Sequence, residues 1–133
     1  IFTGGAVAFT GAFIDATGGF DERWFLYYED VDLARRGAEL GWRYRLVPSA
    51  VVEHHGGVTT SAMADRTRFL QERNRRWSTF RHEPPATIRR AMLLSVRRLR
   101  HTPRGVHAKA LAAGLAGAPP RLRERHIAAR QRA

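Results

Sequence analysis

Residues 18–57 read GGFDERWFLYYEDVDLARRGAELGWRYRLVPSAVVEHHGG, and their patterning sets the expected fold. Gly18-Gly19 breaks the element before it, and Phe20-Asp21-Glu22 makes a turn. Trp24-Phe25-Leu26-Tyr27-Tyr28 is a dense aromatic run that ends at Glu29-Asp30. From Asp30 to Leu40 the apolar residues Val31, Leu33, Ala34, Ala38 and Leu40 predict a helix, with Asp30 as its N-cap and Gly41 as its stop. Trp42 to Val47 alternates like a half-buried strand and ends at Pro48. Ala50 to His54 reads as a second short strand, halted by Gly56-Gly57.

Outward from that stretch, residues 5–14 (GAVAFTGAFI) read as a buried strand running into a short helix. Strand, helix, strand, strand predicts half of an α/β domain, whose first strand needs neighbours to pair with. Downstream, an Arg-rich helix is expected over about 64–82, stopping before Pro84-Pro85. A second is expected over about 86–100, with Ile88, Met92, Val96 and Leu99 on one face and Arg89, Arg90, Arg97 and Arg98 elsewhere. Residues 106–117 are rich in Ala and Leu, and the polar, basic end from Pro119 is expected to be partly disordered. There is no internal repeat.

The 133 residues make room for one domain at most, and 44% hydrophobic with 26% charged residues is a globular composition. The absence of cysteine excludes disulfides, thiolate metal sites and cysteine nucleophiles. No apolar run approaches the roughly 20 residues that span a bilayer, and no signal peptide is visible. With Ile1 in first place and no initiator Met, the chain is expected to be a fragment. The net charge of +11 divides sharply. Residues 1–65 hold five Arg against nine acids, while residues 66–133 hold 18 basic groups against Glu72, Glu83 and Glu124. Such a basic region points to an anionic partner: nucleic acid, an acidic membrane face or phosphorylated molecules.

Two features carry chemistry. Glu29-Asp30 joins an aromatic loop to a helix start, where the helix dipole favours negative charge. A carboxylate there is a candidate general base, and a capping Asp is the competing reading. His54-His55 follows a strand and precedes two glycines; imidazole there suits a divalent metal, or a structural role.

Taken in order, Gly4-Gly5-Ala6, the GGFDE turn (Gly18 to Glu22), the aromatic run into Glu29-Asp30, Asp32-Leu33, Gly41 with an aromatic, Pro48 and His54 closely resemble the second half of a family-2 glycosyltransferase catalytic domain. The resemblance covers residues 3–82 and is strongest to bacterial rhamnosyl- and galactofuranosyl-transferases of cell-wall polysaccharide. It implies the GT-A fold, a nucleotide-binding α/β sandwich. The implied organisation is a partial GT-A domain over 1–82, its nucleotide-binding half absent, followed by a basic helical extension over 83–133.

What the resemblance implies can be carried over by residue. Asp30 matches the catalytic base of an inverting transfer from a nucleotide-diphosphate sugar to a glycan or lipid-linked acceptor, and Glu29 would help hold the acceptor. His54 matches the ligand of a Mn²⁺ or Mg²⁺ ion that stabilises the leaving diphosphate, with His55 the alternative. Gly4 and Gly5 match a small-residue strand end near the donor sugar. Trp24 and Tyr28 suit stacking on a sugar face, against core packing. Arg73, in Gln71-Glu72-Arg73-Asn74-Arg75-Arg76-Trp77, matches a diphosphate contact, whereas most arginines there are expected on a solvated face. The family's Asp-x-Asp metal motif is missing from its place, so the 133-residue chain alone is expected to lack transferase activity.

The resemblance implies a cytoplasmic protein, at the inner face of the plasma membrane if it attaches there. Ile88 to Arg100 sets an apolar stripe beside Arg clusters, as interfacial helices do, with a helix packed on the domain and its arginines in solvent as the competing reading. Two other readings compete: a non-catalytic remnant with membrane-surface contacts, and a nucleic-acid-binding protein. The acidic first half and the lack of any helix-turn-helix, zinc or RNP-like pattern argue against nucleic acid.

Overall fold

The computed structural model describes residues 2–53, 63–100 and 104–130, with residues 104 and 126–130 described by their backbone alone. Its elements are α1 (Gly11–Thr17), a 3-10 turn (Glu22–Trp24), α2 (Glu29–Glu39), α3 (Ala64–His82), α4 (Pro85–Arg98), α5 (Arg104–Ala116) and α6 (Ala118–Arg130). Among the described residues the regular structure is entirely helical. The α/β, GT-A expectation is therefore overturned.

The physical reason lies in what a strand requires. Alternating side chains become a strand only when the backbone finds a partner ladder. Residues 5–10 and 42–47 have none among the described residues and run as irregular segments. They meet the rest of their unit through rings instead. Phe2 packs edge-on against Phe9 at 5.1 Å and against Tyr44 at 5.2 Å, Phe9 stacks on Phe13 at 5.0 Å, and Trp42 meets Phe13 at 5.5 Å. The period-two alternation is real, since Trp42 and Tyr44 both turn toward Phe13. Beyond Tyr44 the pattern lies open, with Leu46 and Val51 more than four-fifths exposed.

The chain forms two compact units, Ile1–Ala62 and Met63–Ala133. In the first, Phe13, Trp24, Leu33 and Ala34 are buried beside the aromatic cluster. Thr10 caps α1, its hydroxyl accepting from Phe13 N–H at 3.2 Å. Helix α2 begins at Glu29, so Asp30 stands in the first turn and Tyr28, two residues earlier than the expected Asp30, occupies the cap. Its end follows the sequence: Gly41 takes φ +87°, its N–H bonds Ala38 O at 3.1 Å and Trp42 N–H bonds Gly37 O at 3.0 Å, a Schellman stop. Gly37 lets α2 approach the aromatic cluster, because a Cβ there would lie 2.3 Å from Tyr44 Oη and 2.5 Å from Phe13 Cε2.

In the second unit α3 packs against α5 and α6, and more lightly against α4. Helix α3 belongs by its contacts with the later helices, whereas the family resemblance joins it to the preceding residues. Close approach of α3 and α5 rests on Gly114, where a Cβ would sit 2.7 Å from Arg76 Cδ. The expected disorder from Pro119 gives way to α6, whose prolines fall in the first turn, where missing N–H groups cost nothing. The arginines of Gln71–Trp77 are also not the solvated face expected. Arg76 and Asn74 are fully buried, and Glu72 lies inside with them.

Candidate functional site

The aromatic run makes a backbone of unusual shape. Phe25, Tyr27 and Tyr28 take φ of +64°, +67° and +70°, a region that side-chain-bearing residues avoid. Each such residue costs of order 1–3 kcal/mol, and clusters of them favour binding and catalytic sites. The loop is held from below by Trp24, fully buried in the unit. Trp24 is therefore a core support of the loop and presents no exposed ring to a sugar. Asp21 fixes the turn before it by accepting Arg23 N–H at 3.1 Å, and Arg23 Nε donates to the same oxygen at 2.8 Å.

This strained loop delivers Glu29 and Asp30 to the start of α2. Asp30 Oδ2 accepts Gly4 N–H at 2.8 Å, and Oδ1 accepts Val31 N–H at 2.7 Å. The first bond joins positions 26 residues apart, bringing the Gly4-Gly5 segment and the acid pair together. A Cβ at Gly4 would meet Asp30 Cβ at 3.5 Å and Oδ2 at 3.7 Å, ordinary van der Waals contact, so Gly4 lies directly against the carboxylate. Gly5 lies in the same exposed turn.

Beside this pair opens a cleft of about 650 Å³ lined by Gly4, Phe20, Asp21, Glu22, Phe25 and Glu29. Its walls combine two aromatic rings with three carboxylates, a composition suited to a polyhydroxylated ligand, whose C–H faces pack on rings and whose hydroxyls donate to carboxylates. Glu29 Oε2 is buried and finds no hydrogen-bond partner among the described residues. Burial pushes the Glu29 carboxyl above its ordinary range, its own backbone N–H opposes this, and the neighbouring Asp30 charge adds to the rise. A group so placed gains by meeting a ligand hydroxyl.

Behind the acid pair, Asp32 is fully buried and pairs with Arg36 Nε at 2.8 Å. Arg36 also donates to Thr17 O and, at 2.6 Å, to Gly19 O. That clamp ties α2 to the end of α1 and to the glycine turn leading into the cleft, so Asp32 is structural.

Arg73 belongs to the second unit. Its Nε donates to Asn74 Oδ1 at 2.8 Å, and its guanidinium lies 4.2 Å from the Trp77 ring centroid, with Arg121 at 4.4 Å from the same indole. Burial first and the Arg121 charge second lower its pKa from the ordinary value, although a guanidinium stays charged. His54 and His55 lie outside the described residues. Among the described residues no three His, Asp or Glu side chains gather as metal ligands, and each Asp30 oxygen already accepts a backbone N–H. The described groups alone do not form a cation site.

Phe20, Glu22 and Phe25 also line the cleft, and no pattern in the sequence marks them individually. The GGFDE turn and the aromatic run locate the region, but the left-handed turn at Phe25 that aims its neighbours is not encoded by any glycine.

No family model matches the chain, and no solved structure matches it. Over 43 residues it is 56% identical to the N-acetylglucosaminyl-diphospho-decaprenol L-rhamnosyltransferase of Mycobacterium tuberculosis, in strains CDC 1551 / Oshkosh and ATCC 25618 / H37Rv. A segment of this chain is glycosyltransferase-like. The match takes in 32% of the chain and only 14% of each relative's length.

Proposed function

We propose that this chain contributes the acceptor side of an inverting, family-2-type glycosyltransferase, moving a sugar such as rhamnose from a nucleotide-diphosphate donor to a lipid-linked or cell-wall glycan acceptor. The observation that carries the reading is the Gly4–Asp30 bond, which draws two distant parts of the resemblance to one carboxylate-rich cleft. The 56% identity to a rhamnosyltransferase supports the same direction. Asp30, which accepts the N–H of the cleft-lining Gly4, takes the proton from an acceptor hydroxyl as the oxygen attacks the anomeric carbon. The bond to the nucleotide diphosphate breaks on the opposite face, and its electron pair leaves with the phosphate oxygen. Glu29 accepts from or donates to a second acceptor hydroxyl and so orients the first. Gly4 and Gly5 leave room for the incoming sugar. His54 remains the proposed metal ligand, and Arg73 the proposed diphosphate contact.

The test is release of nucleoside diphosphate from a panel of nucleotide sugars by the longest natural polypeptide carrying this segment, with and without a membrane-lipid acceptor extract. The expected result is release that depends on acceptor. No release across the panel favours the non-catalytic remnant reading, whereas acceptor-independent release would make the polypeptide a nucleotide-sugar hydrolase and overturn the transferase proposal.

A further inference from the structure

Helix α4 turns the expected apolar stripe partly outward. Ser95 faces inward, fully buried, its hydroxyl donating to Ala91 O at 2.8 Å and meeting Arg75 Nη2 at 3.4 Å. Ile88, Met92 and Leu99 are half-buried on that side. Leu93, Val96 and Leu94 face solvent at 66%, 57% and 43% exposure, and Arg89, Arg90 and Arg97 are exposed among them. The helix, PATIRRAMLLSVRR, contains no acid.

We propose that this face of α4 is a docking surface for an anionic lipid bilayer. The charge around it is one-sided. Of the three acids in residues 66–133, Glu72 is held by Arg75, Arg76 and Arg98, and Glu124 by Arg81 and Arg121. A second copy would bring the same positive face and be repelled. Nucleic acid would satisfy the arginines but give Leu93, Leu94 and Val96 nothing to enter. A lipid surface satisfies both: the apolar side chains enter the acyl boundary while guanidiniums snorkel to phosphate headgroups. Among the described residues no helix is long and apolar enough to cross a membrane, which leaves α4 lying in the interface. The inference is independent of the transferase reading.

Vesicle co-sedimentation of the full chain tests it, using phosphatidylcholine alone and phosphatidylcholine mixed with phosphatidylglycerol. Binding is expected only to the mixture and is expected to weaken as salt rises. The triple change Arg89→Gln, Arg90→Gln, Arg97→Gln is expected to reduce partitioning about a hundredfold, near fivefold per charge. Leu93→Ser with Leu94→Ser is expected to weaken it as well, and circular dichroism of each variant should match the parent because the altered side chains face solvent. Three results overturn the proposal: equal binding to both vesicles irrespective of salt, RNA binding that rivals the vesicles and ignores the leucine changes, or a dimer that those changes dissolve.

Discussion

Glu72→Ala is expected to unfold the Met63–Ala133 unit at ordinary temperature. One carboxylate there serves three guanidiniums: Arg75 at 3.1 Å, Arg76 at 3.2 Å and Arg98. Arg76 has no exposed surface and also donates to the Glu72 backbone carbonyl. Arg75 and Arg98 reach water and can turn away, but Arg76 cannot. Removing the carboxylate strands its charge in the interior, which costs about 3–5 kcal/mol. That is comparable to the entire stability of many small domains. Thermal denaturation followed by circular dichroism checks it, and the double change Glu72→Leu, Arg76→Met should recover most of the loss, because an apolar pair replaces the buried charges. The same group sets an acid limit. Burial would raise the Glu72 pKa, but the Arg75 hydrogen bond and the charges of Arg75, Arg98 and Arg76 outweigh it and hold the group below its ordinary 4.5. Its stabilisation is therefore complete above about pH 4.5 and is lost as pH falls through the lowered value.

Asp30→Asn is expected to lower kcat about 10²–10⁴-fold, the usual contribution of a positioned general base. The measurement is turnover by the longest natural polypeptide carrying the segment, at saturating donor and acceptor. The amide has the size of the carboxylate, and its oxygen still accepts one of the two backbone N–H groups that Asp30 now receives, from Gly4 and Val31. The other N–H loses its acceptor, but the Gly4 N–H is exposed and water takes the place of the carboxylate there, at a cost of about 1 kcal/mol or less, so the fold survives while the base does not. Acceptor KM should move little, since Glu29 and the cleft rings remain. A large rise in KM with unchanged kcat would make Asp30 a binding residue instead.

Local signals in the sequence are sound, and the tertiary ones are not. Gly41 stops α2 where its position promises, and Pro84-Pro85 separates α3 from α4. Gly4 and Glu29 line one cleft and Gly4 bonds Asp30, a meeting that no spacing rule contains. The expected strands do not form because the pattern from Trp42 to Val47 states which side chains share a face and says nothing of whether a ladder partner exists. Trp24 is core rather than a stacking surface, and an indole in an aromatic run has the same letters in either case. The Arg-rich α3 is the hardest to read. Glu72 is one acid among many bases, and only the packing of α5, through its Gly114, over Arg76 shows that this arginine is buried and must be paired.

In the proposed reaction one carboxylate, Asp30, deprotonates an acceptor for a single displacement at the anomeric carbon. The anomeric configuration of the product, read by proton NMR from a donor of known configuration, distinguishes this route from its alternatives. A single displacement predicts inversion. Retention would require two displacements or a different nucleophile, and would contradict Asp30 as the base of a direct attack.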